Sequence, residues 1–319
     1  MQRRQFVLSL LAAAAPLCPG RAAAAGPLKL IVPFVAGGGN DIYARLYAPV
    51  LGHLLGETVI VDNRSGASGT IGATYVAQSA PDGQTVLHAS SAIAITPAIL
   101  PSVAFDPARE LLPVTQATSQ PLVMVVRKEM GIGSLKALLD FARRDKSLSF
   151  GSASQGSPSH LAPALLFKRA QVPALGVAYR GAGQLMTAIL GGEVHVAFLI
   201  PPLARQYVAQ GKLIALATSG ANRIVHFADV PTLQEQGFPG LVADQWHGFF
   251  MPAQTPPGVA TRFQQALAAV LRDADVTKHL ADDSASVVAS TPAQFKAYFG
   301  SEVRRWKAIV EETGVKPQA

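Results

Sequence analysis

The chain has 319 residues, 49% of them hydrophobic and only 15% charged. That balance supplies a buried core and excludes a disordered chain. Of the 27 basic residues, Arg3, Arg4 and Arg21 lie in the first 25, which leaves 24 basic against 20 acidic residues in the remainder. So small an excess, without a basic run interleaved with aromatics, sets aside nucleic acid as the main partner. The length fits two domains or one large α/β domain.

Residues 1–25 read as an export signal. Arg3 and Arg4 precede an apolar stretch, residues 6–15, and Ala23-Ala24-Ala25 offers small side chains for cleavage near Ala25. The stretch is shorter than the roughly 20 residues a membrane span needs. Arg3-Arg4-Gln5-Phe6-Val7 suits the twin-arginine route or an ordinary secretory one. Cys18, the only cysteine, falls in this leader, and Ala15-Pro16-Leu17 before it is not a lipid-attachment sequence. The mature chain therefore has no thiol for a disulfide, a nucleophile or a metal site.

From residue 28 short apolar strands alternate with amphipathic helices, the pattern of an α/β fold. Residues 28–34 predict a strand that ends in the turn Gly37-Gly38-Gly39. A helix follows with Ile42, Leu46, Val50 and Leu54 on its apolar face, interrupted by Pro49. Further strands are predicted at 59–61, 85–87, 123–126, 148–150, 177–179, 194–199 and 213–217. Ser134 is placed to cap a helix carrying Leu135, Leu138, Leu139 and Phe141. Thr291-Pro292-Ala293-Gln294 is a capping box. It opens a last helix with Phe295, Phe299, Val303, Trp306 and Val310 on one side, stopped by Gly314 and Pro317 and expected to cover a sheet.

A strand, a Gly/Ser-rich turn and a helix recur at 28–48 and 148–168, which suggests two lobes that each offer a helix N-terminus. Phe34 through Gly37, Gly38, Gly39, Asn40 and Asp41 forms the first turn. Its glycines let backbone amides approach a ligand, and the helix dipole adds positive potential, so an anion is the natural guest. Ser152, Ala153, Ser154, Ser157 and Ser159 form the second turn, with hydroxyl donors for a carboxylate. Tyr179, Arg180 and Gly181 end a strand and open a helix. Taken singly, each turn also reads as a plain connection; two of them together favour the anion.

Catalytic signatures are weak. Ser152-Ala153-Ser154-Gln155-Gly156 lacks the first glycine of a nucleophile elbow, and the seven histidines have no metal-ligand spacing. A second reading uses Gly37, Gly39 and Asp62 as a dinucleotide-binding unit of an exported oxidoreductase, although Ile42 stands where a small residue belongs.

The ordered set Leu30-Ile31-Val32-Pro33-Phe34, Gly37-Gly38-Gly39-Asn40-Asp41, Val61-Asp62-Asn63-Arg64-Ser65-Gly66-Ala67-Ser68-Gly69 and Ala80-Pro81-Asp82-Gly83 resembles the Bug/TctC family. These are the extracytoplasmic substrate-binding proteins of tripartite tricarboxylate transporters. Tyr179-Arg180-Gly181, Gly191-Gly192-Glu193-Val194, Asp229-Val230-Pro231-Thr232 and Thr255-Pro256-Pro257 continue the resemblance along the mature chain. It implies a two-lobed periplasmic-binding-protein fold (type II-like) with a ligand cleft between the lobes. On that basis residues 26–121 with 246–319 form lobe 1, and 122–245 form lobe 2. The resemblance further implies a periplasmic, non-catalytic, monomeric receptor that needs no cofactor. Its backbone amides at Phe34, 37–41, 152–159 and 179–181 would hold a small organic carboxylate for two membrane subunits, or for a sensor kinase. His195 and Leu199 depart from acids that are common at those positions in the family, which leads us to expect a pocket that prefers a second carboxylate or an aromatic group over an ammonium.

Overall fold

The computed structural model describes residues 26–315; the export signal and Pro317 lie outside the described residues. The chain opens with β1 (Leu28–Val32), α1 (Gly39–Leu55), β2 (Val59–Asn63), a 3₁₀ turn at Ala67–Gly69, α2 (Thr70–Ala77), β3 (Thr85–Ser90), α3 (Ala92–Ile99), the single-turn α4 (Pro107–Glu110) and β4 (Leu111–Gln120). It continues through β5 (Val123–Arg127), α5 (Leu135–Arg144), β6 (Ser149–Ser152), α6 (Pro158–Arg169), β7 (Leu175–Ala178), α7 (Ala182–Gly191), β8 (Val196–Leu199), α8 (Pro201–Ala209) and β9 (Leu213–Thr218). The last elements are β10 (Gln245–Pro252), α9 (Pro257–Val270), α10 (Ala274–Asp282), β11 (Ser286–Val287) and α11 (Pro292–Thr313).

These strands sort into two sheets, ordered β11-β4-β10-β3-β1-β2 and β7-β6-β8-β5-β9. Each sheet with its helices makes one lobe of a two-lobed α/β fold. The chain passes from the first sheet to the second after Gln120 and returns before Gln245, and these two residues pair across the antiparallel β4–β10 ladder. The crossings are fastened to each other. Ser219 Oγ accepts the Leu122 N–H at 2.8 Å and donates to the Ala243 carbonyl at 2.7 Å, and Ser119 Oγ donates to Asp244 Oδ2 at 2.9 Å. Behind the return crossing, buried Glu302 accepts the indole N–H groups of Trp246 and Trp306, both at 3.0 Å, and the Arg305 guanidinium at 2.8 Å. Arg305 in turn donates to the Val242 carbonyl. A buried carboxylate is tolerated only when its acceptors are satisfied in this way.

The last helix matches its sequence pattern. Thr291 and Gln294 form the reciprocal capping box, and Gly314 closes the helix in the left-handed conformation at φ 67°. Phe295, Phe299, Trp306 and Val310 are buried, joined by Glu302 and Ile309. Gly248 on β10 makes room for the Phe295 ring, which would stand 2.4 Å from an added Cβ. The helix also reaches the second lobe, where Arg169 of α6 grips Glu312 with two bonds of 2.9 and 3.1 Å. One apolar cluster accordingly runs from Ile31 and Leu87 in the first lobe to Phe150 and Phe198 in the second.

The expected apolar face of α1 is not the buried one. Ile42 and Leu54 are exposed, while Asn40, Asp41, Tyr43, Ala44, Tyr47, Ala48 and Leu51 are buried. Alanines and flat rings let the helix lie close on the sheet, and the rings meet a pair of buried histidines. Tyr43 lies 4.9 Å from His247, Tyr47 lies 5.9 Å from His88, and the two imidazoles are 5.6 Å apart, centroid to centroid. Tyr43 donates to Asp283 at 3.0 Å, and His247 Nδ1 faces Thr118 Oγ1 at 3.3 Å.

Burial disfavours the charged form of both imidazoles, lowering His247 to about 4 and His88 well below its ordinary range. A folded-state pKa below the unfolded value of about 6.5 means this stabilisation is complete above that value and is lost as pH falls toward 4. Denaturant unfolding at pH 7 and pH 4.5 is predicted to show an acid-dependent loss that His247→Gln reduces by about 2–3 kcal/mol. Identical pH dependence in the variant would contradict the neutral buried pair.

Candidate carboxylate site

Because β1, β2 and β3 run parallel, as do β6, β7 and β8, the helices that follow them all begin at the carboxyl edges of their sheets. Those helices share a property. The residues before α1, α2, α3, α6, α7 and α8 are Gly38, Gly69, Ser91, Ser157, Gly181 and Ile200, and none makes a side-chain capping bond. Away from these edges, α4, α5, α10 and α11 are capped by Asp106, Ser134, Asp273 and Thr291, although α9 opens uncapped at Pro256. An uncapped start leaves first-turn N–H groups and the positive end of the dipole available to an external acceptor.

In the first turn the Gly37 N–H is already taken, donating to Asp41 Oδ2 at 2.9 Å. Asp41 also receives Arg45 Nε at 3.0 Å, and this hydrogen bond holds its carboxyl below the ordinary range despite burial. Arg45 continues to Asn63 Oδ1 at 3.1 Å, and Asn63 Nδ2 donates to the Phe34 carbonyl at 3.2 Å. The turn is thus braced from outside, and Asn40 braces it from beneath by donating to the His88 carbonyl at 3.3 Å. The donors left for a ligand are the amides of Gly39 and its successors, not the whole glycine run.

The second turn is braced by its own hydroxyls. Ser157 Oγ donates to the Ser154 carbonyl at 2.9 Å and meets Ser159 Oγ at 2.8 Å, while buried Ser152 Oγ donates to Ser154 O at 3.2 Å rather than to a base. Burial keeps His160 toward its neutral form, and its Nδ1 accepts the Gly156 N–H at 3.1 Å from inside the lobe. The third segment is tied to the second: the amides of Tyr179 and Gly181 donate to the carbonyls of Ser152 and Ala153 at 2.9 and 2.8 Å. The Tyr179 phenol is turned to Glu193, and burial and then that charge raise its pKa. Arg180 is exposed and forms no salt bridge among the described residues.

A chain of contacts leads from the first turn to the second. The Phe34 ring borders Gly69, Ser68 O accepts Thr96 Oγ1 of α3 at 3.3 Å, and Ile99 at the far end of α3 lies against Gly156. Gly156 has φ +67°, and a Cβ there would fall 2.1 Å from Ile99 Cδ1. Sequence reasoning missed Asn63, His160 and Ser91. Ser91 Oγ is buried without a hydrogen-bonding partner at the start of α3.

Two expectations are corrected. His195 stands at the amino end of β8, where its Nδ1 faces Ser149 Oγ at 2.9 Å, so it lies at the opposite end of the sheet from these turns. Leu199 is buried in the second lobe's apolar cluster with Val123 and Val125 rather than offered to the cleft. The dinucleotide unit is spent internally: Asp62 binds Arg64 at 2.9 Å, and that guanidinium lies 3.5 Å over the Tyr75 ring. Among the described residues no group of three or more His, Cys, Asp or Glu side chains is placed to hold a metal, and no helix is long and apolar enough to cross a membrane.

Two lobes with uncapped helix starts at their carboxyl edges define a binding protein of the two-lobed periplasmic class. The model of the tripartite tricarboxylate transporter family receptor matches residues 43–315, and the chain belongs to that family. It is 34% identical over 295 residues to BugT of Bordetella pertussis, covering 92% of this chain and 90% of the relative. Among solved structures it is similar to Rpa4515 of R. palustris with adipate, with 28% identity, TM-score 0.83 and coverage of 92% and 99%. MatC from Rhodopseudomonas palustris with bound malate gives 28% identity, TM-score 0.79 and coverage of 90% and 99%.

The meeting of Gly156 with Ile99 is testable. Gly156→Ala is predicted to lose about 1–2 kcal/mol through the left-handed backbone alone, and more through the collision with Ile99. Combined with Ile99→Ala, the loss should fall short of the sum of the single losses by at least about 0.5 kcal/mol. Strict additivity in denaturant unfolding would contradict the contact.

Proposed function

We propose that the protein is a periplasmic receptor that captures a small organic dicarboxylate by closing its lobes over it and presents it to the membrane subunits of a tripartite transporter. The observation that carries this reading is the set of uncapped helix starts at the carboxyl edges of both sheets. One carboxylate is received by the first-turn amides of α1 and by Ser159 with its neighbours on α6. The nearby protein charges suit an anion, since Asp41 is neutralised by Arg45 and Arg180 adds a cation that forms no salt bridge among the described residues. That adipate and malate are bound by structural neighbours supports the class of ligand. Because Gln245 already pairs with Gln120 in the first sheet, the expected boundary moves by one residue: lobe 1 comprises residues 26–121 and 245–315, lobe 2 residues 122–244, and the fastened crossings between them serve as the hinge.

Each helix end contributes about 0.3–1 kcal/mol, and each hydrogen bond to a charged oxygen about 1.5–3 kcal/mol. A handful is compatible with micromolar affinity, about −8 kcal/mol, after the costs of ordering and desolvation. Gly38 has φ −79° and ψ 166°, values open to any residue, and its added Cβ meets nothing closer than Val35 O at 3.4 Å. Gly38→Val is therefore predicted to keep its melting temperature while losing at least tenfold in affinity for malate or adipate in calorimetric titration, because its side chain bars approach to the amides. Tight binding of NAD, or of amino acids well ahead of dicarboxylates, would overturn the reading.

A further inference from the structure

A cavity of about 610 Å³ has walls from both lobes and includes none of the turn residues described above. One wall is the loop that follows β9, residues 220–226; the other is the end of α10 and the segment into β11, residues 281–286. Ser119, Pro121 and Asp244 of the hinge form the floor. The sheet orders place it. β11 and β4 lie at one margin of the first sheet and β1 toward the other, while β9 is one margin of the second sheet and β6 and β7 lie at the opposite one. The cavity therefore lies toward the β11 and β9 margins, apart from the turns that follow β1, β6 and β7, with Asp283 beside its wall accepting the Tyr43 phenol of α1. His226 Nε2 and the Ala281 carbonyl, 3.4 Å apart, bridge its two walls.

The lining has an apolar body and a negative bias. Pro121, Ala221, Ile224, Val225 and Ala285 supply the body, with Val225 88% exposed at the rim. Asp282 sits exposed at the C-terminal end of α10, where the helix dipole adds negative potential. Asp244 adds a second carboxyl, of which Oδ2 is held by Ser119 and Oδ1 has no hydrogen-bonding partner, although burial raises its pKa and so leaves Asp282 as the main negative charge. The cations at hand, Arg223 of the lining among them, are paired with other groups. Both Glu235 oxygens and the Ala228 carbonyl hold Arg223, each at 3.0 Å, and Arg305 beside Asp244 is engaged by Glu302 and Val242.

We propose that this cavity is a second ligand site, which takes a small organic cation with an apolar body, an aryl- or alkyl-ammonium, against Asp282 and the end of α10. The volume accommodates such a molecule, and charge complementarity selects it over an anion or a neutral isostere. An occupant touching both walls bears directly on the hinge.

Calorimetric titration of the purified protein with phenethylamine, in the absence of any carboxylate, tests the site independently of the receptor reading. We expect phenethylamine to bind and the uncharged 2-phenylethanol to bind at least tenfold more weakly. Asp282→Asn should weaken the amine at least threefold, and either Ala281→Trp or Val225→Trp, both at exposed positions, should abolish binding at an unchanged melting temperature. No binding of phenethylamine, equal binding of amine and alcohol, or amine binding unmoved by all three substitutions would overturn the proposal. Malate or adipate affinity in Asp282→Asn should equal that of the parent protein, so failure of the carboxylate reading registers separately.

Discussion

The organisation of this protein rests on one constraint: a parallel strand pair must be joined by a crossover, and a helical crossover starts at the carboxyl edge of the sheet. Helix starts carry N–H groups that the helix itself cannot satisfy. Elsewhere in the chain Asp106, Ser134, Asp273 and Thr291 satisfy them with side chains. At the carboxyl edges the chain instead places glycine, isoleucine, or a serine that does not cap, and the side chains that could have capped brace the turns. Asp41 holds Gly37, and Ser157 holds Ser154. Donors are thereby withheld from the protein and held in position for a ligand, the arrangement that preorganised anion binding requires.

The two lobes are held in register at the segments where the chain crosses between them. The two crossings are fastened to one another through Ser219 and through the Ser119–Asp244 bond, while Glu302 and Arg305 fix the return segment to the last helix. The apolar cluster is continuous between the lobes beneath α11, and Arg169–Glu312 ties α6 to the end of that helix. On the closure proposed above, rotation about this fastened base would carry the Gly156 turn relative to α3, where the missing side chain lets the second lobe touch Ile99.

Much of this was legible in the sequence because it depends on local chemistry. The glycine turn, the Gly/Ser loop and the capping box at Thr291 announce themselves through small or capping residues next to apolar helices. β4 and β10 were not read. Trp246, His247, Gly248, Phe249, Phe250 and Met251 are buried on both faces of a central strand, so no alternation marks them. The buried face of α1 was missed because it is made of Asn40, Asp41, Tyr43 and Tyr47, whereas Ile42 and Leu54 turn outward. His195 was tied to the pocket's preference because the family commonly has an acid at that position, but strand polarity places it at the amino end of β8. The bracing roles of Asn63 and His160 arise from residues 29 positions away in one case and four in the other; the first is a tertiary pairing that no local pattern encodes.

The central claim is that backbone amides at the starts of α1 and α6 receive the ligand. Amide chemical shifts of the ¹⁵N-labelled protein, recorded with and without saturating malate or adipate, test it most directly. The account predicts the largest proton shifts at Gly39, Asn40 and Ser159, with smaller changes along the crossings at Gln120, Leu122 and residues 243–245. Shifts that leave those three amides unmoved while appearing elsewhere would contradict it.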